Sequence, residues 1–403
     1  MLGAMETPRI RILPPETAKR IAAGEVIDRP AAALRELLDN ALDAGASLIQ
    51  VELEGGGAEG LRVADDGMGM GKEDLARSVL PHATSKIRDA DDLLTLSTLG
   101  FRGEALASMA AVSSLSILSA GEDDYAWGIR CEAGKEPVLE PSRCSRGTVV
   151  QLRDLFSNFP ARRQFLKRAS AEANACRQVF VEKALPFPEV GFRLYSGGKP
   201  LLVLQPAGLA RRVIEATGAE EPESFFRELV ASGPGFGARI VTCSPASYRT
   251  DKKRLHIYVN KRRVQEYSLA QAVEYAFRDS LPGGTYPGAY VFLEVDPSLA
   301  DFNIHPAKKE VRLRNLEDIR RGLIASIRAY LGSAAKAERA NSLLADAPRQ
   351  IPLDLDYGRP RDYSRNVDSQ AERSSWSVIA DLARERRESH GGQDEDEIGR
   401  AQV

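Results

Sequence analysis

Residues 30–44, Pro-Ala-Ala-Ala-Leu-Arg-Glu-Leu-Leu-Asp-Asn-Ala-Leu-Asp-Ala, decide how the rest of the chain is read. Asp28 is placed to cap a helix, and Pro30 falls in its first turn, where a missing N–H costs nothing. On the helical repeat, Glu36, Asn40 and Asp43 share one narrow stripe, while Leu34, Leu37, Leu38 and Ala41 form the opposite, core-facing side. The polar stripe carries a carboxylate, an amide and a second carboxylate. Such oxygens can hold a hydrated divalent cation while one carboxylate orients a water. A solvated amphipathic helix has the same pattern, so residues further along the chain must decide between the two.

Residues 45–54 alternate like a strand after a glycine stop, and Gly55-Gly56-Gly57 turns the chain. Leu61 to Ala64 reads as the next strand, ending at Asp65-Asp66-Gly67-Met68-Gly69-Met70. A strand-end carboxylate can accept a hydrogen bond from the amino group of a flat ligand, and the glycines let that ligand approach the backbone. An ordinary Asp-Gly turn is the alternative. Next comes Thr98-Leu99-Gly100-Phe101-Arg102-Gly103-Glu104-Ala105-Leu106-Ala107-Ser108, in which glycines precede a run of helix formers. Free backbone N–H groups at a helix start suit a phosphate chain. This is not the Walker pattern, which occurs nowhere in the chain.

The acidic-amide helix, the D-x-G-x-G strand end and the G-F-R-G-E-A-L segment, in that order, resemble the split ATPase fold of the GHKL (Bergerat) type. That fold is shared by type II topoisomerase subunits, a heat-shock chaperone class, sensor histidine kinases and MutL-type mismatch repair proteins. Four further segments single out the MutL type: Leu13-Pro14-Pro15 with 21–30, His82-Ala83-Thr84-Ser85-Lys86, residues 158–167 (NFPARRQFLK) and residues 302–312 (FNIHPAKKEVR). The resemblance runs from about Ile10 to about Leu331.

The resemblance implies roles residue by residue. Glu36 is similar to the general base that orients the attacking water, and Asn40 to the side-chain ligand of Mg²⁺, with Asp43 beside it. Asp65 matches the carboxylate that accepts the adenine amino group, with Gly67 and Gly69 in the same pocket and Gly69 against the base. Gly100, Phe101, Arg102, Gly103, Glu104, Ala105 and Leu106 match the lid over the triphosphate, and Thr84 and Lys86 the loop leading into it. Gly147-Thr148, before the strand at 149–152, matches a further motif near the adenine. Lys308 would cross from a second domain to the γ-phosphate. Asp66 stands where the family commonly has asparagine, and is expected to add negative charge beside the adenine pocket.

These roles imply an α+β protein organised as a GHKL ATPase sandwich at 1–205, a ribosomal-protein-like α+β transducer domain at 206–333 and a disordered tail at 334–403. The expected chemistry is slow, Mg²⁺-dependent, DNA-stimulated ATP hydrolysis without a phospho-enzyme, gated by lid closure. ATP would act as a conformational switch that brings two copies of the chain together. By resemblance, the partners are DNA without sequence preference, a mismatch-recognition protein, and a downstream nuclease or helicase. A nucleotide-binding scaffold that hardly turns over is the second reading.

Composition agrees with a two-domain protein of ordinary kind: 403 residues, 43% hydrophobic and 28% charged. The cysteines, Cys131, Cys144, Cys176 and Cys243, show no C-x-x-C pairing, so a reducing cytosolic setting is expected, and no apolar run is long enough for a bilayer. A net charge of −2 argues against coating nucleic acid by bulk electrostatics. Basic residues nevertheless cluster at Arg162, Arg163, Lys167 and Arg168, at Lys252 to Arg254, and at Lys261 to Arg263. Arg162, Arg163, Arg262 and Arg263 are the candidate DNA contacts, against the alternative of solvated basic surface.

In the second domain, strands are expected at 255–260 and 290–295, and helices at 268–279 and 316–331. From about Ala334 the composition becomes polar and aperiodic, apart from a short amphipathic stretch that could form a helix at 375–388. The family's C-terminal dimerisation and endonuclease domain is not recognisable; Asp368 to Arg373 only faintly echoes its motif. Gln350-Ile351-Pro352-Leu353-Asp354-Leu355 is similar to peptides that dock on bacterial sliding clamps.

Overall fold

The computed structural model describes residues 26–86, 99–100, 103–122, 125–132, 135–302 and 310–345. Helix α1 spans Pro30–Asp43, with proline in its first turn as the sequence predicts. Its N-cap is Arg29 rather than Asp28: the Asp28 carboxylate turns outward to the Arg29 guanidinium at 3.2 Å and caps no backbone N–H. Leu34, Leu37, Leu38 and Ala41 are buried. Burial of each leucine is worth about 1.5–3 kcal/mol, so this face alone fixes which way the polar stripe turns.

Strands β1 (Leu48–Glu54) and β2 (Gly60–Asp65) pair antiparallel through a single tight turn over Gly55–Gly57. Alternation along β1 puts Ile49, Val51 and Leu53 inside. After α2 (Lys72–Ser78) and α3 (Ala105–Val112) come β3 (Ser114–Ala120), β4 (Ala126–Cys131), β5 (Val138–Ser142) and β6 (Gly147–Arg153). The short α4 (Pro160–Gln164) and the long α5 (Ala169–Ala184) lead to β7 (Gly191–Ser196) and β8 (Lys199–Leu204). These strands form one eight-stranded sheet in the order β5-β4-β3-β6-β2-β1-β7-β8. Only β1 and β7 run parallel, the long α5 supplying the crossover that a parallel pair requires. Helices α1 and α5 pack on each other, α1 also against β2 and α5 against β7, so the polar stripe of α1 faces away from this core.

Helix α6 (Leu209–Thr217) follows. A second sheet, ordered β12-β11-β13-β10-β9, comprises β9 (Phe226–Gly233), β10 (Phe236–Cys243), β11 (Leu255–Val259), β12 (Arg262–Val264) and β13 (Ala289–Val295). It is backed by α7 (Tyr267–Phe277) and α8 (Leu316–Ala345), and β14 (Ala300–Asp301) pairs with β15 (Arg312–Leu313) beside it. Helix α7 starts where Glu266 accepts the Ser268 N–H at 3.0 Å, and it ends in a 3-10 turn at Arg278–Ser280. Helix α8 runs to Ala345, past Leu331, where the sequence pattern predicts its end, and into the segment from Ala334 expected to be disordered.

Arg212 of α6 is fully buried, and its guanidinium donates to the carbonyls of Pro188, Val190 and Gln205 at 3.0, 2.6 and 3.0 Å. It therefore stitches α6 to the segments flanking β7 and β8, across the boundary expected at 205/206. Among the described residues no helix is long and apolar enough to cross a membrane.

Candidate nucleotide site

At the C-terminal half of α1, the polar stripe meets the loop after α2. The Lys86 ammonium donates to Asn40 Oδ1 at 2.9 Å and to Asp43 Oδ2 at 2.6 Å. Asp43 also accepts the backbone N–H groups of Leu99 and Gly100, at 2.8 and 3.0 Å. One helix thus fixes both ends of the segment between Lys86 and Leu99. Glu36 lies on the same stripe, half-buried. Asn40 and Asp43 together accept a cationic group, which is the donor character a divalent cation also needs.

The loop and the glycine-rich segment are also held to each other. His82, in a left-handed conformation (φ 61°), places Nδ1 3.2 Å from the Glu104 carboxylate. Thr84 Oγ1 accepts the Lys86 N–H at 3.2 Å. Gly103 has φ +60° and sits against Ala83, where a Cβ would strike the Ala83 carbonyl at 2.5 Å. Helix α3 starts at Ala105, directly after Glu104, and no side chain caps its first turn. The N–H groups around Ala105 and Leu106 therefore lie at the positive end of a helix dipole beside Lys86's loop.

The third part lies at the end of β2. Asp65 is half-buried, pairs in register with Thr148 of β6 and accepts the Gly67 N–H at 2.9 Å. Burial raises its pKa to about 6, against hydrogen bonds from the Gly67 and Thr148 backbones that lower it. Gly69 has φ +69°, and a Cβ there would collide with the Ala120 carbonyl, so the Met68–Met70 turn is pressed against the end of β3. Thr148 is buried, its hydroxyl 2.9 Å from Ser119 Oγ, which in turn accepts the Met70 N–H at 2.8 Å. Ser119 is a member of this corner that the sequence reading missed. Its neighbours Ile117 and Ala120 give no hint that this serine is the buried polar link.

Asp66 turns the opposite way from Asp65. Its carboxylate accepts the N–H groups of Ser47 and Leu48 at 2.7 and 2.9 Å, as well as the Ser47 hydroxyl. Burial works against its ionisation, but these donors outweigh burial and hold its pKa below the usual carboxylate range. The expected extra charge beside a ligand is therefore satisfied locally, tying β1 to the end of β2.

The DNA candidates separate. Arg163 is exposed on α4, as are Lys167 and Arg168 just after it. Arg162 lies over the Phe159 ring at 5.6 Å, half-buried. Arg263 pairs with Glu182 at 3.4 Å, and Arg262 is buried at 7% exposure with its guanidinium over the Phe302 ring. In the other basic cluster, Lys252 pairs with Glu274, Lys253 with Asp251 and Arg254 with Glu221. Lys308, Phe101, Arg102, the residue 350–355 peptide, the helix suggested at 375–388 and the 368–373 segment lie outside the described residues.

Two family models match this chain: the histidine kinase-, DNA gyrase B- and HSP90-like ATPase over residues 28–132, and the DNA mismatch repair protein C-terminal domain over 223–332. The first contains α1, the end of β2 and the glycine-rich segment at 98–108; the second contains the second sheet. The DNA mismatch repair protein MutL of Treponema pallidum is 42% identical over 353 residues, 84% of this chain and 57% of the relative. The chain belongs to the MutL family. MutL of Pseudomonas fluorescens is 39% identical over 347 residues, 84% of this chain and 54% of that protein, so the chain spans little more than half the length of these relatives. Among solved structures, the Aquifex aeolicus MutL ATPase domain complexed with ADP aligns with TM-score 0.53 and 26% identity, over 74% of this chain and 98% of that one. The N-terminal domain of a DNA repair protein aligns with TM-score 0.63 at 23% identity, over 80% and 99%, which supports the fold. The expected α+β architecture with a GHKL-type ATPase fold is therefore the observed one.

Proposed function

We propose that the chain is an ATP-driven switch of mismatch repair, binding ATP in the pocket bounded by Asp65, the α1 stripe and the lid. The observation that carries this is the convergence of Asn40, Asp43 and Lys86 on one point beside an uncapped helix start. The relative bound to ADP supports the nucleotide class.

Asp65 in its ionised form accepts the adenine amino group, and the Gly69 turn, pressed against the end of β3, lies against the ring. Ser119 and Thr148 hold the Met68–Met70 turn behind it. Uncapped N–H groups of α3, with Lys86, receive the phosphates. Glu36 accepts a proton from the attacking water and orients it, as hydrolysis by positioning requires. Mg²⁺, held by Asn40 and the nucleotide's own oxygens, would neutralise phosphate charge. Lys308 is assigned to the γ-phosphate, which would let the second sheet sense hydrolysis. Asp43 holds the Leu99–Gly100 hinge, so opening of the lid, with Phe101, Arg102 and Gly103, works against a fixed anchor.

DNA contact belongs to the exposed run Arg163, Lys167 and Arg168, which can pair with phosphates without reading bases. Dimerisation on ATP, a mismatch-recognition partner, a downstream nuclease or helicase and a clamp-binding peptide at Gln350–Leu355 complete the reading. So does the division into domains at 1–205, 206–333 and 334–403.

A fluorescent ATP analogue, displaced by ATP, tests the pocket. Asp65→Ala and Lys86→Met should each weaken binding by about tenfold or more, on the order expected for losing one charged hydrogen bond. Unchanged affinity in both variants would overturn the assignment of the pocket.

A further inference from the structure

Turning from β11 to β12, Asn260 and Lys261 adopt left-handed conformations, with φ of 48° and 65°. Asn260 clamps the turn to the neighbouring strand: its amide donates to the Val295 carbonyl at 2.9 Å and accepts the Val295 N–H at 2.8 Å. A turn held on both sides of an amide presents the next side chains in fixed directions. None of the three cations at 261–263 simply faces water. Lys261 lies over the Phe187 ring at 4.6 Å. Arg263 reaches Glu182 of α5 at 3.4 Å, and the same carboxylate takes Arg35 of α1 at 2.7 Å. Lys183, beside Glu182, pairs with Asp39 of α1 at 2.5 Å.

The hairpin is thus docked against the junction of α1 and α5. Arg35 and Asp39 lie on a stripe adjacent to that of Glu36, Asn40 and Asp43. One helix shows the second sheet one side and the nucleotide pocket the next.

Arg262, between these two cations in the hairpin, is buried, with its guanidinium 4.7 Å from the centre of the Phe302 ring. Burial pulls its pKa below the ordinary arginine value, and the carboxylates of Asp39 and Asp43 oppose that pull. Asp43 is the group that also holds Lys86 and the Leu99–Gly100 amides. Phe302 immediately precedes the segment that carries Lys308 in the sequence. Arg262 therefore links Phe302, just after β14, to a hairpin whose neighbouring cation Arg263 reaches the carboxylate that also holds Arg35 of α1.

We propose that Arg262 is a positioning residue of the nucleotide site rather than a DNA contact, holding Phe302 and the β11–β12 hairpin against the α1–α5 junction. A planar cation is suited to this: a guanidinium stacks on an aromatic ring and still presents donors along its edge, which a lysine cannot do at once. The proposal rests on the ATPase reading above.

The test uses the whole chain with Arg262→Leu, Arg262→Lys and, because a buried arginine can be needed for folding, Phe302→Leu, which keeps an apolar side chain but removes the ring. Each is measured for kcat and KM of ATP hydrolysis, for fluorescent-ATP binding, and for duplex DNA binding at fixed salt. For a residue acting on the hydrolysing arrangement, Arg262→Leu lowers kcat by about tenfold or more with ATP binding within about threefold. Arg262→Lys should fall between, Phe302→Leu should follow the same direction, and DNA affinity should stay within about twofold. Should Arg262→Leu not fold, the other two variants decide. Unchanged kcat in the folded variants overturns the proposal, as does a loss of DNA binding with kcat preserved. If the unmodified chain neither binds nor hydrolyses ATP, the ATPase reading itself fails, and the two failures are told apart.

Discussion

The Asp65 carboxyl is raised from 3.8 to about 6 by burial at the end of β2, although Gly67 and Thr148 donate to it. An acid with a raised pKa costs stability where it must ionise. The folded chain holds that proton more tightly than the unfolded one, so between about pH 4 and pH 6 stability falls as pH rises and then levels off. A shift of this size corresponds to at most about 3 kcal/mol, and less in practice because the group is half-buried. The perturbation is Asp65→Asn, which cannot titrate. Urea unfolding of both proteins across about pH 4 to 8 isolates the carboxyl, because every other titrating group is common to the pair. The stability of the unmodified chain relative to the Asp65→Asn variant should drop by about 1–3 kcal/mol between about pH 4 and pH 7. ATP affinity provides the functional half. If only the ionised carboxyl accepts the adenine amino group, the affinity ratio of wild type to variant should fall about tenfold from about pH 7 to pH 5. A stability difference that does not change with pH would refute the claim that a buried, titrating charge lies here. A flat affinity ratio would refute its use in recognition.

Arg212→Met should destabilise the chain by about 3–5 kcal/mol, because buried carbonyls of Pro188, Val190 and Gln205 lose their donor; thermal unfolding measures this. Gly69→Ala forces a left-handed alanine into the Ala120 carbonyl. It should cost about 1–3 kcal/mol and weaken ATP binding beyond that of a distant control such as Gly237→Ala, where a Cβ meets nothing within 4 Å. Ser119→Ala removes the link between Thr148 and the Met70 N–H, and should weaken ATP binding severalfold while costing only about 1 kcal/mol of stability.

Helix α1 was legible because two signals agree: a proline start, and an apolar face opposite a polar one at helical spacing. Its cap was not, since Asp28 finds a nearer cation in Arg29 than any backbone N–H. The β2 end illustrates a limit of composition. Asp65 and Asp66 are neighbours, yet successive residues of an extended chain face opposite ways. One carboxylate turns to the Gly67 N–H and the other to the Ser47–Leu48 amides, so the register along the strand end, and not composition, separates their roles. The basic clusters were ambiguous in sequence for a related reason. Lys252, Lys253 and Arg254 look like a binding patch in sequence, but carboxylates from elsewhere in the chain or within the cluster neutralise them. Arg262 carried a usable signal, since it alternates with the buried Val264 across the exposed Arg263. Ser119 carried none, because its partners come from a different strand and a different turn.

The central claim is that the α1 stripe hydrolyses ATP with Glu36 as the base. The most direct measurement is Mg²⁺-dependent phosphate release by the unmodified chain and by Glu36→Ala, over a series of protein concentrations, with ATP binding measured in parallel. Release that depends on Mg²⁺, rises per chain with concentration and disappears in a variant that still binds ATP is the predicted result. Release that survives the loss of Glu36, or an unmodified chain that binds no ATP, would contradict it.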